Sequence, residues 1–134
     1  MVGVVIAAHG ELARELLQTA EFIVGKVDRI RAISIDPSRD VKDLQGEISR
    51  TIKDVDDGTG VLILTDMFGG TPANMTLPFL REGAVEVVTG VNLPMLIRLC
   101  QCREGGMGLS DVAREALEYG RKSINQASAI LSKK

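Results

Sequence analysis

Apolar residues along the chain fall into unbroken runs and spaced repeats, and turn residues separate the two kinds. The unbroken runs, rich in β-branched side chains, cover residues 2–8 and 61–65. Such runs are typical of strands buried on both faces of a parallel sheet. Residues 30–35 and 85–89 mix apolar with polar or charged positions, which indicates strands that are partly exposed. The pattern therefore predicts four strands, with the first and third at the centre of the sheet.

Between these runs, apolar residues recur every three or four positions, the spacing of an amphipathic helix. The repeats predict a helix from residue 12 to near Gly25 and a second helix over residues 41–55. They also predict a short helix from about Pro72 that Pro78 disturbs, a helix with Pro94 in its first turn, and a last helix capped by Ser110 or a neighbour. The segment after Gly120 fits a helix, a strand or a partner-binding tail.

The element order is therefore βαβαβαβαα, and strand starts ~25–30 residues apart are typical of right-handed βαβ crossovers. With the apolar strands central and the charged strands at the edges, the expected parallel order is 2-1-3-4. We expect an α/β fold, a doubly wound three-layer sandwich, with residues 1–134 forming a single domain.

Composition and charge exclude several classes of function. A net charge of −2 and an acidic isoelectric point argue against nucleic acid or an anionic membrane as the main partner. The apolar run at residues 2–8 has no basic stretch before it and no segment is long enough to cross a bilayer, so we expect a cytoplasmic protein. Cys100 and Cys102 are too few for a zinc site, and we expect them to be partly buried, with no metal and no cofactor.

Two chemistry-bearing residues follow neighbouring central strands of the predicted sheet. In a doubly wound sheet, ligands bind beyond the carboxyl ends of the strands, where the winding direction reverses. For the order 2-1-3-4 this point lies between the first and third strands. His9, the one histidine of the chain, follows the first strand, and Asp66 follows the third. A carboxylate that holds Nδ1–H of an imidazole fixes its tautomer and leaves Nε2 as a nucleophile.

The residues around this pair favour an anion as the ligand. Gly69 and Gly70 allow a close backbone approach, and Thr71 adds a hydroxyl donor at the start of a helix. The start of the first helix, at Gly10 and Glu11, offers further amides. Each feature has a structural alternative: an incidental histidine, an aspartate that caps a helix, or glycines that serve only a turn. Their joint placement at the predicted switch point favours a phosphate site beside a histidine.

Three segments carry a resemblance to a known family. They are residues 7–10 (AAHG), residues 64–74 (LTDMFGGTPAN) and residues 90–96 (GVNLPML). Together they resemble the IIA component of the mannose-family, phosphoenolpyruvate-dependent sugar phosphotransferase system, over essentially the whole chain. The resemblance implies that His9 accepts a phosphoryl group on Nε2 from the phosphocarrier HPr and passes it to a IIB component. It also implies that Asp66 is the hydrogen-bonded partner of His9.

The resemblance implies roles for further residues. Thr71 and the nearby amides would bind the phosphoryl oxygens, and the loop with Asn92 and Pro94 would lie on the same rim. Met67 and Phe68 are the apolar candidates for contact with HPr. The family is dimeric, and some members exchange a C-terminal antiparallel strand, for which residues 122–128 are the candidate here.

Alternative functions remain open at this stage. No IIB domain follows in the sequence, so the acceptor would be a separate protein, and recruitment to a membrane IIC/IID complex is an option. The same chemistry would also suit a regulatory IIA module or a dihydroxyacetone-kinase phosphocarrier, although the turn after strand three differs from the latter. A non-enzymatic binding module is a third reading. Ala8 stands where histidine phosphatases usually have arginine, and the sequence offers no spare general base near His9 except Glu11, which favours a carrier over a phosphatase.

Overall fold

Four parallel strands form one sheet at the centre of the computed structural model, which describes residues 1–132. The strands are β1 (Gly3–His9), β2 (Ile30–Ile35), β3 (Val61–Thr65) and β4 (Val85–Thr89). Their order is β2-β1-β3-β4, and the three pairings between them are parallel. This confirms the strand order expected from the burial pattern.

Helices follow the strands along the chain. They are α1 (Leu12–Val24), α2 (Val41–Val55), α3 (Thr71–Thr76), α4 (Leu93–Glu104), α5 (Leu109–Lys122) and α6 (Ala127–Leu131). A 3₁₀ turn over Leu77–Phe79 follows α3. Pro78 lies in this turn, and it cannot continue an α-helix because it lacks the backbone N–H donor.

Two hydrophobic cores make the molecule a three-layer sandwich. Because successive strand side chains point to opposite faces, β1 contributes to both cores. Val4, Ile6 and Ala8 pack with α1, α4 and α5, whereas Val5 and Ala7 pack with α2. All side chains of β3 are buried, while the edge strands β2 and β4 carry exposed positions. The expected doubly wound α/β sandwich is thus confirmed.

The first strand is shifted by one residue relative to the predicted range. It begins at Gly3 and includes His9, which pairs with Ile35 on β2. His9 therefore belongs to the end of the strand, and the sheet fixes its backbone.

The start of α5 differs from the expectation of a side-chain cap. Gly108 precedes the helix and makes no side-chain bond to it, and Ser110 lies inside the first turn. The hydroxyl of Ser110 therefore does not cap the helix.

Residues 122–128 form no strand within the single chain, and the exchange of a C-terminal strand between two subunits stays a prediction. Lys122 ends α5, and α6 begins at Ala127. The amides of Ser123 and Ile124 donate to carbonyls of α5, at 3.1 and 3.3 Å. Local helical bonds thus use the backbone groups that a strand would need for a ladder.

Cys100 and Cys102 are free and buried within α4, in agreement with the expectation that they are structural. No helix in the described part of the chain is both long enough and apolar enough to span a membrane.

Candidate functional site

The pairing of β1 with β3 brings the imidazole of His9 to the carboxylate of Asp66. Ala7 lies opposite Thr65 in the parallel register, so the residues that follow leave the sheet side by side. His9 Nδ1 lies 2.7 Å from Asp66 Oδ2. The backbone amide of His9 donates to the same oxygen at 3.2 Å. The expected pair is therefore formed, and the carboxylate holds both the ring and the backbone of His9.

The electrostatics of the pair favour an ionised aspartate and a defined imidazole tautomer. Burial raises the pKa of the Asp66 carboxyl, but the hydrogen bonds from the ring and amide of His9 outweigh burial and leave that pKa below its usual value. An ionised carboxylate accepts from Nδ1–H, which leaves the lone pair on Nε2. The side chain of Asp66 is 13% exposed and that of His9 is 41% exposed, so the imidazole is partly open to solvent while its partner is shielded.

The second oxygen of Asp66 has no competing partner. Asp66 Oδ1 is buried and makes no hydrogen bond to any residue in the range 1–132. No salt bridge from lysine or arginine reaches this carboxylate in the same part of the chain. The charge of Asp66 therefore acts mainly on the imidazole.

Gly70 packs against the edge of the imidazole that carries Nε2. A Cβ atom at this position would lie 2.9 Å from His9 Cε1 and 3.4 Å from Nε2. The φ angle of Gly70 is −87°, so the requirement for glycine comes from space and not from backbone conformation. Thr71, the first residue of α3, follows directly and is exposed.

The backbone amides near His9 differ in whether they are free. Among the described residues, the amides of Gly69, Gly70 and Thr71 make none of the backbone hydrogen bonds found in turns and loops. Thr71 is the first residue of α3, so its amide has no intrahelical acceptor either. The amide of Gly10, in contrast, donates to the carbonyl of Ile35 at 3.2 Å. Gly10 has a φ of 56°, so it provides a left-handed turn after β1 rather than a free donor.

The expected rim residues lie in two loops. Met67 and Phe68 are 53% and 73% exposed, beside the glycine turn. The loop after β4 joins the end of β3 through the amide of Val91, which donates to the carbonyl of Thr65 at 2.9 Å. Pro94 lies in the first turn of α4.

Asn92 has a structural role that the sequence did not indicate. Its Oδ1 caps α4 by accepting from the amide of Met95 at 2.9 Å, and its Nδ2 donates to the carbonyl of Gly120 at 3.1 Å. These two bonds direct the side chain to α4 and α5, so Asn92 fixes the loop instead of contacting His9.

The structure adds a cleft that the sequence reasoning missed. A cavity of about 460 Å³ opens beside His9, and the loop after β2 forms its far wall. Its lining residues are His9, Gly10, Glu11, Ser34, Ile35, Asp36, Pro37 and Arg39. The predicted strand order already placed the carboxyl end of β2 next to that of β1, and the cleft could have been predicted from this adjacency. His9 is thus flanked by the glycine turn on one side and by this cleft on the other.

A comparison with protein-family models identifies the family of this chain. The model described as "PTS system fructose IIA component", of the mannose-type EIIA class, matches residues 3–117, which include both β1 and the Asp66 turn. The chain belongs to this family. It is therefore a IIA-type component of the sugar phosphotransferase system (PTS), as the sequence resemblance implied.

Individual relatives agree with the family assignment. The mannose-specific EIIAB component of Escherichia coli K12 is 30% identical over 96% of this chain, and the chain spans only 40% of that relative's length. The fructose-specific EIIA component of Bacillus subtilis is 29% identical over 99% of this chain and 91% of its own length.

Solved structures share the fold of this IIA chain. An EIIA component from Streptococcus agalactiae superimposes with a TM-score of 0.86 at 24% identity, over 96% of this chain and 99% of that chain. A PTS IIA protein associated with the fucose utilization operon of Streptococcus pneumoniae gives a TM-score of 0.84 at 28% identity, over 98% and 100%.

The hydrogen bond from His9 predicts how Asp66 titrates. In His9→Ala the ring bond is lost, and we expect the pKa of the Asp66 carboxyl to rise relative to the wild type. Because this pKa is lower in the folded state, the pairing stabilises the fold above the unfolded value of about 4 and is lost as pH falls through the folded value. Carboxyl-detected NMR titration measures the shift. Asp36, whose pKa is lowered by the amide and hydroxyl of Ser38, is the internal control, and an unmoved Asp66 would contradict the assignment.

Proposed function

We propose that this IIA chain is a phosphoryl carrier that accepts a phosphoryl group from phospho-HPr on His9 Nε2 and passes it to a separate IIB protein for sugar uptake. The observation that carries the proposal is the 2.7 Å contact between His9 Nδ1 and Asp66 Oδ2. This contact orients a partly exposed imidazole and leaves its other nitrogen available. The family assignment supports the same chemistry.

The proposed transfer uses each part of the pair. The lone pair of His9 Nε2 attacks phosphorus, and the bond from phosphorus to the donor atom of HPr breaks with its electrons returning to HPr. The imidazole gains positive character as the bond forms, and the carboxylate of Asp66 stabilises it through Nδ1–H. Transfer to IIB reverses these steps, with a side chain of IIB as the nucleophile.

The glycine turn is the proposed cradle for the phosphoryl oxygens. The free amides belong to Gly69, Gly70 and Thr71, in the turn where Gly70 packs against the ring, and the hydroxyl of Thr71 would add a donor. Backbone N–H groups bind anions well because they are fixed and lose little entropy on binding. Gly10 is left out of this cradle because its amide already donates to β2.

The proposed contact surface for HPr and IIB surrounds the mouth of the site. Met67 and Phe68 are exposed apolar side chains next to the glycine turn, and such side chains are common anchors at interfaces. A protein that meets partners of this kind would act in the cytoplasm, where a membrane IIC/IID complex could recruit it. Residues 1–134 would act there as one domain.

We also propose that the chain forms a homodimer. β4 is an edge strand with β3 as its neighbour in the sheet. A groove of about 340 Å³ lies beside it, lined in part by Val87, Leu117 and Ile124. Ile124 is 75% exposed, which a second copy seated on the groove would relieve.

Phosphorylation of His9 is the direct test of the carrier proposal. We incubate the chain with phosphoenolpyruvate, Enzyme I and HPr and expect one added, acid-labile phosphoryl group by intact mass. Loss of the nucleophile in His9→Gln should abolish it. Asp66→Ala should slow its formation by roughly 10²–10⁴-fold, because the ring loses its orienting carboxylate.

The matched control is Asp54→Ala, which removes an exposed carboxylate on α2 and should leave the rate at the wild-type level. An adduct that persists in His9→Gln would reject His9 as the acceptor. Transfer of the group onward to a purified IIB protein separates a carrier from a dead-end modification.

Gly70→Ala tests the close approach of the turn to the ring. The added methyl group would contact His9 Cε1 at 2.9 Å, so the ring or the turn must move. We expect a transfer rate lower by roughly 10- to 100-fold, since small displacements of a nucleophile are costly. Gly108→Ala is the control, because its φ of −75° is similar to that of Gly70 and an added Cβ would meet no atom within 4 Å. Stopped-flow or quench-flow phosphorylation gives both rates, and equal rates would contradict the proposed packing.

Sedimentation velocity tests the proposed dimer. We expect a species of twice the chain mass, and Ile124→Glu should convert it to monomer because a buried charge is unfavourable at an apolar interface. Ile130→Glu, at an exposed position outside the groove, should leave the dimer intact. A monomeric wild type at micromolar concentration would reject the proposal.

A further inference from the structure

Glu11 is a carboxylate beside the nucleophile whose two oxygens are both occupied. It lines the same cleft as His9 and lies two residues further along the chain. Its Oε1 forms an ion pair with Arg14 Nη1 at 2.9 Å. Its Oε2 accepts a hydrogen bond from Ser34 Oγ at 3.0 Å. The carrier mechanism uses none of these three side chains.

The two bonds hold Glu11 on the opposite side of the strand ends from the imidazole. Ser34 on β2 pairs with Ala8 on β1, and the side chain of Ala8 belongs to the core under α1. The side chain of the next residue, His9, leaves the sheet on the other face, toward Asp66 and Gly70. Ser34 therefore draws Glu11 away from the face on which the phosphoryl group would sit.

A free carboxylate in this place is a hazard to a phosphoryl carrier. In hydrolysis, the oxygen of a water molecule attacks phosphorus, the water proton passes to a carboxylate, and the bond from phosphorus to Nε2 breaks. The electron pair of that bond returns to the imidazole, and inorganic phosphate leaves. A carboxylate positioned as general base accelerates such a step by about 10²–10⁴-fold. Glu11 is the acidic side chain of the cleft that the chain brings nearest to His9 in sequence.

We propose that Ser34 and Arg14 are positioning residues that keep Glu11 from acting as a general base, and so set the lifetime of phosphorylated His9. This inference rests on the proposed function, because it requires that His9 carries a phosphoryl group. The salt bridge and the hydrogen bond act together. Either bond alone is exposed and weak, while both must open before the carboxylate turns toward Nε2.

The test measures the lifetime of the phosphorylated chain after the donor is removed. His9 is phosphorylated in two ways, by HPr and by the small-molecule donor phosphoramidate, and decay is followed by intact mass. The double variant Ser34→Ala/Arg14→Ala should shorten the half-life by roughly three- to tenfold, the range expected for losing two exposed polar contacts. Adding Glu11→Gln to that double variant should restore the wild-type half-life, because glutamine cannot accept the water proton.

Glu15→Gln is the matched control, since it removes an exposed carboxylate on α1 that does not line the cleft. Its half-life should equal that of the wild type. An unchanged half-life in the double variant would overturn the inference, because repulsion between Glu11 and the phosphoryl dianion would then be enough to keep the carboxylate away. A shortened half-life that Glu11→Gln fails to restore would also overturn it, because the faster decay would then not depend on the Glu11 carboxylate.

The two donors separate this inference from the carrier proposal. Phosphorylation by phosphoramidate but not by HPr would reject the proposed function and still allow the lifetimes to decide the inference. A wild-type His9 that accepts from neither donor would overturn both.

Discussion

The hydrogen bond between His9 and Asp66 depends on the parallel pairing of β1 with β3, and the chemistry of the site depends on that bond. Ala7 and Thr65 are opposite one another in the sheet, so both functional side chains emerge at the same level. Every side chain of β3 is buried, and so is every side chain of β1 before His9, which makes this central pair rigid. A shift of one residue in either strand would reverse the side on which the side chain leaves the sheet. The hydrophobic pattern of two strands therefore fixes a contact between two polar groups.

The surroundings of the pair divide the site into two sides with different tasks. On the α3 side, Gly70 leaves space beside the edge of the ring that carries Nε2, and the same turn has unpaired amides. On the β2 side, the carboxylate of Glu11 is bound by Arg14 and Ser34, so negative charge near the ring is already compensated there. A phosphoryl dianion would meet donors on one side and a restrained anion on the other. This asymmetry favours Nε2 as the place where the group is held.

Much of the fold follows from the sequence, because the strongest patterns belong to the most buried elements. The bounds of β2, β3, β4 and α2 match those indicated by apolar runs and repeats. The strand order followed from charge on the outer strands, and the switch point then located His9 and Asp66. Residues after Gly120 were ambiguous because nothing buries them strongly: Ile124, Ile130 and Leu131 are all exposed. The hydrophobic pattern also could not predict the hydrogen bonds of individual polar groups. The capping by Asn92 and the use of the Gly10 amide depend on loop geometry that periodicity does not encode.

The proposed carrier role and a phosphatase role differ in what lies near the phosphorus atom, and two carboxylates bear on that difference here. Asp66 is the closest acid to His9, yet its Oδ2 is bound to the ring and its Oδ1 is buried, so neither oxygen can activate a water from the cleft. Glu11 faces the cleft but has both oxygens occupied. The imidazole is 41% exposed, so the proposed partner proteins would have access to the ring. Because a partner would bring its own nucleophile, while Asp66 and Glu11 are both restrained, the proposed carrier role fits this geometry better than hydrolysis does.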